Sequence, residues 1–185
     1  MTNPYGDVEL DAAGMRALAH PVRVRILFEL RSAPATATML SEKVGASPSV
    51  TSWHLRHLAE HGLVEDAPEL GRGRERFWRQ VGTGFRYAVT DESSFAAAEA
   101  LQSALDDVSG DVVAQWRHEV APTLPREWLA RSGTQDTTVR LTPEELAEVN
   151  RALEGLLAPY VRRATPPTGA RSVRMVRHVM PAAEE

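Results

Sequence analysis

Residues 47–66 read SPSVTSWHLRHLAEHGLVED, and this stretch decides the fold. Ser47 is a natural N-cap, and Pro48 suits the first position of a helix. Thr51, Leu55 and Leu58, then Leu63 after Gly62, form a stripe at helical spacing. The opposite side carries Ser49, Ser52, Trp53, His54, Arg56 and His57. Just upstream, 37–44 reads as a short helix with Leu40 and Val44 four apart, stopped by Gly45. A helix, a tight turn at Gly45-Ala46 and a second helix with a polar exposed start make a helix-turn-helix pattern.

The pattern extends in both directions. Upstream, a helix from Asp11 should stop before His20-Pro21, because a residue preceding proline is pushed out of helical geometry. Pro21 then opens a helix running to about Ala33. Downstream, Leu63-Val64 and Glu75 to Arg79 read as two short strands around a turn at Gly71-Arg72-Gly73. A hairpin in that position is a wing, and Arg72, Arg74, Arg76 and Arg79 fall on its tip and return strand. A long helix is expected from Ser93-Ser94 to about Val120, with Phe95, Leu101, Leu105, Val108, Val112 and Trp116 as an apolar stripe. Gly110 should bend or break it. Residues 121–136 read as a connector anchored by Trp128. Thr137 to Leu141 alternates like a strand, Thr142-Pro143-Glu144-Glu145 forms a capping box, and Ser172 to Met180 reads as a further strand.

MRALAHPVRVRILFEL (15–30), SPSVTSWHLRHLAEHGLVED and GRGRERFWRQV (71–81) together resemble the ArsR-type winged helix-turn-helix transcriptional regulators. The likeness covers roughly Asp11 to Tyr87. TTVRLTPEELAEVNRALEGLLAPY (137–160) is similar to the extended C-terminal part of some actinobacterial-type members. The resemblance implies a dimer in which terminal helices of two chains pack together. It also implies that Ser47, Ser49, Ser52, Trp53, His54 and Arg56 occupy recognition-helix positions, with Arg72, Arg74 and Arg76 on the wing. Founding members sense metals through cysteine or histidine clusters. This chain has no cysteine, so a thiolate sensor is excluded and the effector is left open.

Composition agrees with a globular protein: 43% hydrophobic and 25% charged residues over 185 positions. The net charge of −4 argues against a chain that coats nucleic acid indiscriminately. The charge is uneven, however. Residues 1–89 carry 11 Lys and Arg against 10 Asp and Glu, whereas residues 90–185 carry 10 against 15. A basic working face therefore belongs to the first half. The N-terminus has no apolar signal region, and no stretch approaches the roughly 20 apolar residues of a membrane helix. A soluble, cytoplasmic protein without membrane partners is expected. G-x-S-x-G, Walker and H-E-x-x-H signatures are missing, which argues against an enzyme. Gly71-x-Gly73 and Gly82-x-Gly84 are turns rather than a dinucleotide fingerprint.

Each candidate residue has a plainer reading beside the functional one. Serines, His54 and Arg56 on an exposed recognition helix can donate to phosphates or base edges, and Arg56 could take guanine O6 and N7 together. Trp53 could pack on a sugar or a thymine methyl. The plain alternative is a solvated helix face, or a winged helix used for protein contact. His54, His57 and His61 recur at metal-ligand spacing, but His54 is also wanted at the DNA surface. Trp116, Trp128, Tyr160 and Phe95 are candidates for a small-molecule effector pocket, against the alternative of core or dimer seam.

The expected fold is mainly α with small β. It comprises a winged helix-turn-helix domain (11–89), a long dimerisation helix (90–120), and a connector with a strand–helix–strand C-terminal unit (121–185). The expected function is a homodimeric, sequence-specific DNA-binding repressor acting on double-stranded DNA, with no cofactor and no resident metal. Alternatives are an interaction module without DNA binding and a histidine-based metal-responsive regulator.

Overall fold

A computed structural model describes residues 5–71, 75–110, 112–161, 163–177 and 179–182, apart from the side chain of Val112. The chain begins with β1 (Val8–Leu10), α1 (Ala12–Leu18), α2 (Pro21–Leu30) and β2 (Ala35–Thr36). The pair α3 (Ala37–Val44) and α4 (Pro48–Glu60) follows, then β3 (Val64–Asp66), β4 (Phe77–Gln80) and β5 (Phe85–Tyr87). The last part holds α5 (Glu92–Ser109), α6 (Val112–Gln115), α7 (Arg126–Leu129) and α8 (Pro143–Val161). A π-helical turn spans Trp116–Val120 between α6 and α7.

Local chemistry sets most helix starts. The Asp11 carboxylate accepts from the Gly14 N–H at 2.8 Å and caps α1. The imidazole of His20 caps α2 in the same way, Nδ1 accepting from the Val22 N–H at 3.1 Å, with Pro21 in the first turn. Thr36 caps α3, and Gly45, at φ 69°, ends it in the left-handed region. Ser47 caps α4. Asp91 and Ser94 cap α5 reciprocally. Thr142 and Glu145 do the same before α8, as their spacing predicted.

The wing is a three-stranded antiparallel sheet in the order β2-β4-β3, with Glu65 opposite Arg79 and Ala35 opposite Trp78. Trp78 is the buried residue beneath it. A second, parallel pair joins β1 to β5 with Val8 opposite Phe85, so the winged domain begins N-terminal to Asp11. One core gathers Met15, Leu18, Val24, Ile26, Leu27, Leu40, Val44, Leu55, Leu58, Leu63 and Leu101, each at 1% exposure or less. Burying side chains of this size stabilises by about 1.5–3 kcal/mol each before entropy is charged against them.

The long helix breaks where glycine was expected to break it: α5 ends at Gly110, which sits at φ 49°. Its stripe requires a correction. Ser94, Ala97, Ala98, Leu101 and Ala104 are buried against the protomer's own α1 and α2, and Leu105 and Val108 pack beside them. Leu101, at 0% exposure, is therefore not free for a dimer seam. Phe95 projects from another side of the helix and is 56% exposed.

The C-terminal unit is also corrected. It contains α8, but residues 137–141 and the described part of 172–180 are not strands. Alternation makes a segment fit a sheet. It does not supply the neighbouring strand that its N–H and C=O groups need. No residue of α8 is buried, and Leu153, Leu156 and Tyr160 face outward. Arg86 ties α8 to the winged domain. Its guanidinium donates to Glu154 Oε1 at 2.8 Å and to Asp7 Oδ2 at 3.2 Å.

Candidate nucleic-acid interface

The recognition face is built by the two ends of the Gly45-Ala46 turn. Ser47 points its hydroxyl back to cap α4, 3.1 Å from the hydroxyl of Ser49. Ser47, Ser49, Trp53 and Arg56 are exposed, Trp53 at 54%, while Ser52 is half-buried. Thr51, Leu55 and Leu58 hold the other side in the core. The positive end of the α4 dipole lies at this start, where a phosphate is favoured.

His54 departs from the expected face. It is 5% exposed, with its ring 4.8 Å from the ring of His20 and 4.9 Å, edge-on, from that of Trp53. A side chain buried in that way does not reach a base edge. Its angular position on α4 lies at the border of the core stripe, and the His20 ring at the start of α2 draws it inward. Burial first, then the nearby His20, Arg23 and His57, push its pKa down to about 4. His54 is thus neutral at pH 7, and its Nδ1 is buried without a hydrogen-bond partner.

The histidine series splits accordingly. Trp53 and His57 stack at 5.7 Å, and His57 meets His61 at 5.1 Å, whereas His54 turns toward α2. No group of three or more His, Cys, Asp or Glu among the described residues is arranged to hold a metal ion.

On the wing, Arg72 and Arg74 lie outside the described residues. Arg76 is exposed, but its Nε donates to Asp66 Oδ2 at 2.8 Å and its guanidinium lies over the Trp78 ring at 4.3 Å. Arg79 pairs with Glu65 at 2.7 Å and with Glu69. The register sets Glu65 directly opposite Arg79 and Asp66 opposite Trp78, two residues along from Arg76. The sequence pattern alone does not pair these arginines with acids on β3 or the turn after it.

The remaining candidates disperse. Leu105 and Val108 pack partly on the core, Trp116 is half-buried, and Val112 has no described side chain. Trp128 lines an open cleft of about 380 Å³ with Glu127, Arg131, Thr168 and Gly169. Neither Phe95 nor Tyr160, the latter 64% exposed, lines that cleft. Sequence reasoning missed His20 and Arg23 as neighbours of the recognition helix. Pro21 at the first helical position was the signal that His20 had to be the cap.

A short helix pair with one polar exposed start, followed by a hairpin, defines a winged helix-turn-helix protein of the DNA-binding class. A family model and sequence relatives agree. The family model described as a helix-turn-helix domain matches residues 18–67. The HTH-type transcriptional repressor SmtB of Mycobacterium tuberculosis (strain ATCC 25618 / H37Rv) is 32% identical over 94 residues, 50% of this chain and 67% of that protein. The HTH-type transcriptional regulator NmtR of the same strain is 43% identical over 53 residues, 29% of this chain and 44% of that protein. A solved structure described as a possible transcriptional regulator for arsenical resistance is 28% identical, covering 55% of this chain and 94% of its own, with a TM-score of 0.34. The chain belongs to the ArsR-type winged helix-turn-helix regulators and is a DNA-binding transcriptional regulator. No helix among the described residues is long and apolar enough to cross a membrane.

Proposed function

We propose that the protein is a cytoplasmic, homodimeric repressor that sets two copies of α4 into successive major grooves of a near-palindromic operator, about 34 Å apart. The observation that carries this reading is the exposed face of Ser47, Ser49, Trp53 and Arg56 on a helix whose other face is locked in the core. Residues 5–89 would bind DNA, residues 90–120 would contribute to the dimer, and 121–185 would carry the response. Phe95 is the favoured seam residue because it is large, apolar and exposed. Leu105, Val108 and Trp116 would flank it. Arg72, Arg74 and Arg76 would contact the backbone beside the groove. A ligand or partner at the C-terminal unit would change the angle between the two recognition helices and release DNA.

Fluorescence anisotropy tests this reading, with DNA from upstream of the protein's own gene against scrambled DNA across a salt series. Sequence-dependent binding that Arg56→Ala weakens by about 1–3 kcal/mol is expected. Equal, weak binding to both sequences, with no preferred site emerging from random-sequence selection, would refute it. A winged helix used for protein contact is the second reading. The pairing of Arg76 and Arg79 with acids of their own wing favours it.

A further inference from the structure

Beside the recognition helix lies an arginine among three histidines that the exposed face does not use. Arg23 stands in the first turn of α2, next to the capping His20, and is half-buried. Its Nε is buried without a hydrogen-bond partner, and no carboxylate among the described residues pairs with it. α2 packs against α4, and the charge of Arg23 disfavours the protonated form of His20, His54 and His57 alike. His57, with 29% of its side chain exposed, bridges from there to Trp53 through their ring stack. Glu60, 3.6 Å from His57, is the acid at the outer edge.

A partly desolvated guanidinium with an orphaned donor is costly unless something pairs with it. The surroundings do not reduce that cost: burial and the positive end of the α2 dipole both disfavour a cation there. An oxyanion at the guanidinium would offset both penalties. A second orphaned polar atom lies in the same place, since the buried His54, whose ring meets that of His20, leaves Nδ1 unpartnered. When α4 enters a major groove, the phosphodiester backbone runs along the helix flanks. We propose that Arg23, with His57 beside it, is a phosphate clamp on the flank of the recognition helix that contacts the backbone of bound double-stranded DNA.

This rests on the DNA-binding reading above, and the test separates the two. Anisotropy titrations with a mixed-sequence DNA duplex over a salt series compare the full-length wild type, Arg23→Gln and Arg23→Lys. One lost phosphate contact lowers the slope of log affinity against log salt by about 0.9 per bound protomer. Arg23→Gln should show that drop, and Arg23→Lys, which keeps the charge, should retain most of the slope. A scan of single methylphosphonate substitutions should find a position that weakens the wild type but not Arg23→Gln. If Arg23→Gln binds more weakly with the wild-type slope and the same methylphosphonate profile, Arg23 merely supports the fold and the clamp is refuted. If the wild type itself shows no salt-dependent DNA binding, the DNA-binding reading fails and takes the clamp with it.

Discussion

Acid should loosen the recognition helix through one residue. His54 is 5% exposed and its pKa is pushed down to about 4, against 6.5 for an ordinary histidine. The unfolded chain takes up a proton as the pH falls through about 6.5, whereas the folded chain resists until about 4. The stability contributed by a neutral, buried His54 is therefore complete above the upper value, is lost between the two, and changes no further below the lower one. The whole window is worth about 3 kcal/mol, of which about 2 kcal/mol is gone at pH 5. His20, Arg23 and His57 face His54 from α2 and α4, and each disfavours its cation. His20 works in the same direction, because its Nδ1 accepts the cap bond from Val22 and must stay unprotonated to do so. Urea unfolding of the wild type and His54→Gln at several pH values from about 7.5 to about 4.5 measures the effect. The wild type should lose about 2 kcal/mol more than the variant between neutrality and pH 5. Equal losses in both proteins would show that His54 is solvated or already paired, and the reasoning would fall.

Other perturbations reach other parts of the fold. Gly82 has φ 65°, and a Cβ there would collide with the Gly6 carbonyl oxygen. Gly82→Ala should destabilise by at least about 1–3 kcal/mol in thermal unfolding, and wild-type stability would mean that the β1–β5 end is not packed in this way. Leu101→Ala should cost about 2–5 kcal/mol because the site is fully buried within the protomer. Phe95→Ala should leave the melting temperature of the isolated protomer nearly unchanged but raise the dimer dissociation constant in analytical ultracentrifugation. Glu154→Ala removes one of the two carboxylates that hold Arg86. At about 1 kcal/mol for such a pair, limited proteolysis should cleave around α8 faster, and an unchanged pattern would place the tether elsewhere.

What could be read in the sequence was whatever local chemistry decides. Pro21, Gly45, Ser47-Pro48, Gly110 and the Thr142–Glu145 box mark helix ends by rules that need no distant partner, and the structure has them where expected. What failed depended on partners remote in sequence. His54 sits at the edge of the α4 stripe, and whether it faces water or core depends on His20 from another helix. Leu101 belongs to an apolar stripe under either reading, and only the position of α1 decides that the stripe is satisfied within one protomer. The strands expected at 137–141 and 172–180 had the right alternation but no described strand beside them. In the reverse case, three-residue β1 and β5 were too short to register as a pattern, yet they pair in parallel.

The site residues were legible as a face but not as a charge balance. A chain of net charge −4 can bind a polyanion if its cations stand where the phosphates pass, and counting arginines on the wing overstates how many are free to do so. Arg76 and Arg79 are held by Asp66, Glu65 and Glu69. Those pairs are exposed, 56% and 39% at Arg76 and Asp66, and pairs of that kind contribute about 0–1 kcal/mol. A DNA phosphate could replace Asp66 at little cost, but the displaced carboxylate would stay nearby and repel the backbone. Such an arginine adds less affinity than an unpaired one. Arg56 and Arg23, which have no carboxylate against them among the described residues, would then each carry more of the salt dependence than Arg76 or Arg79.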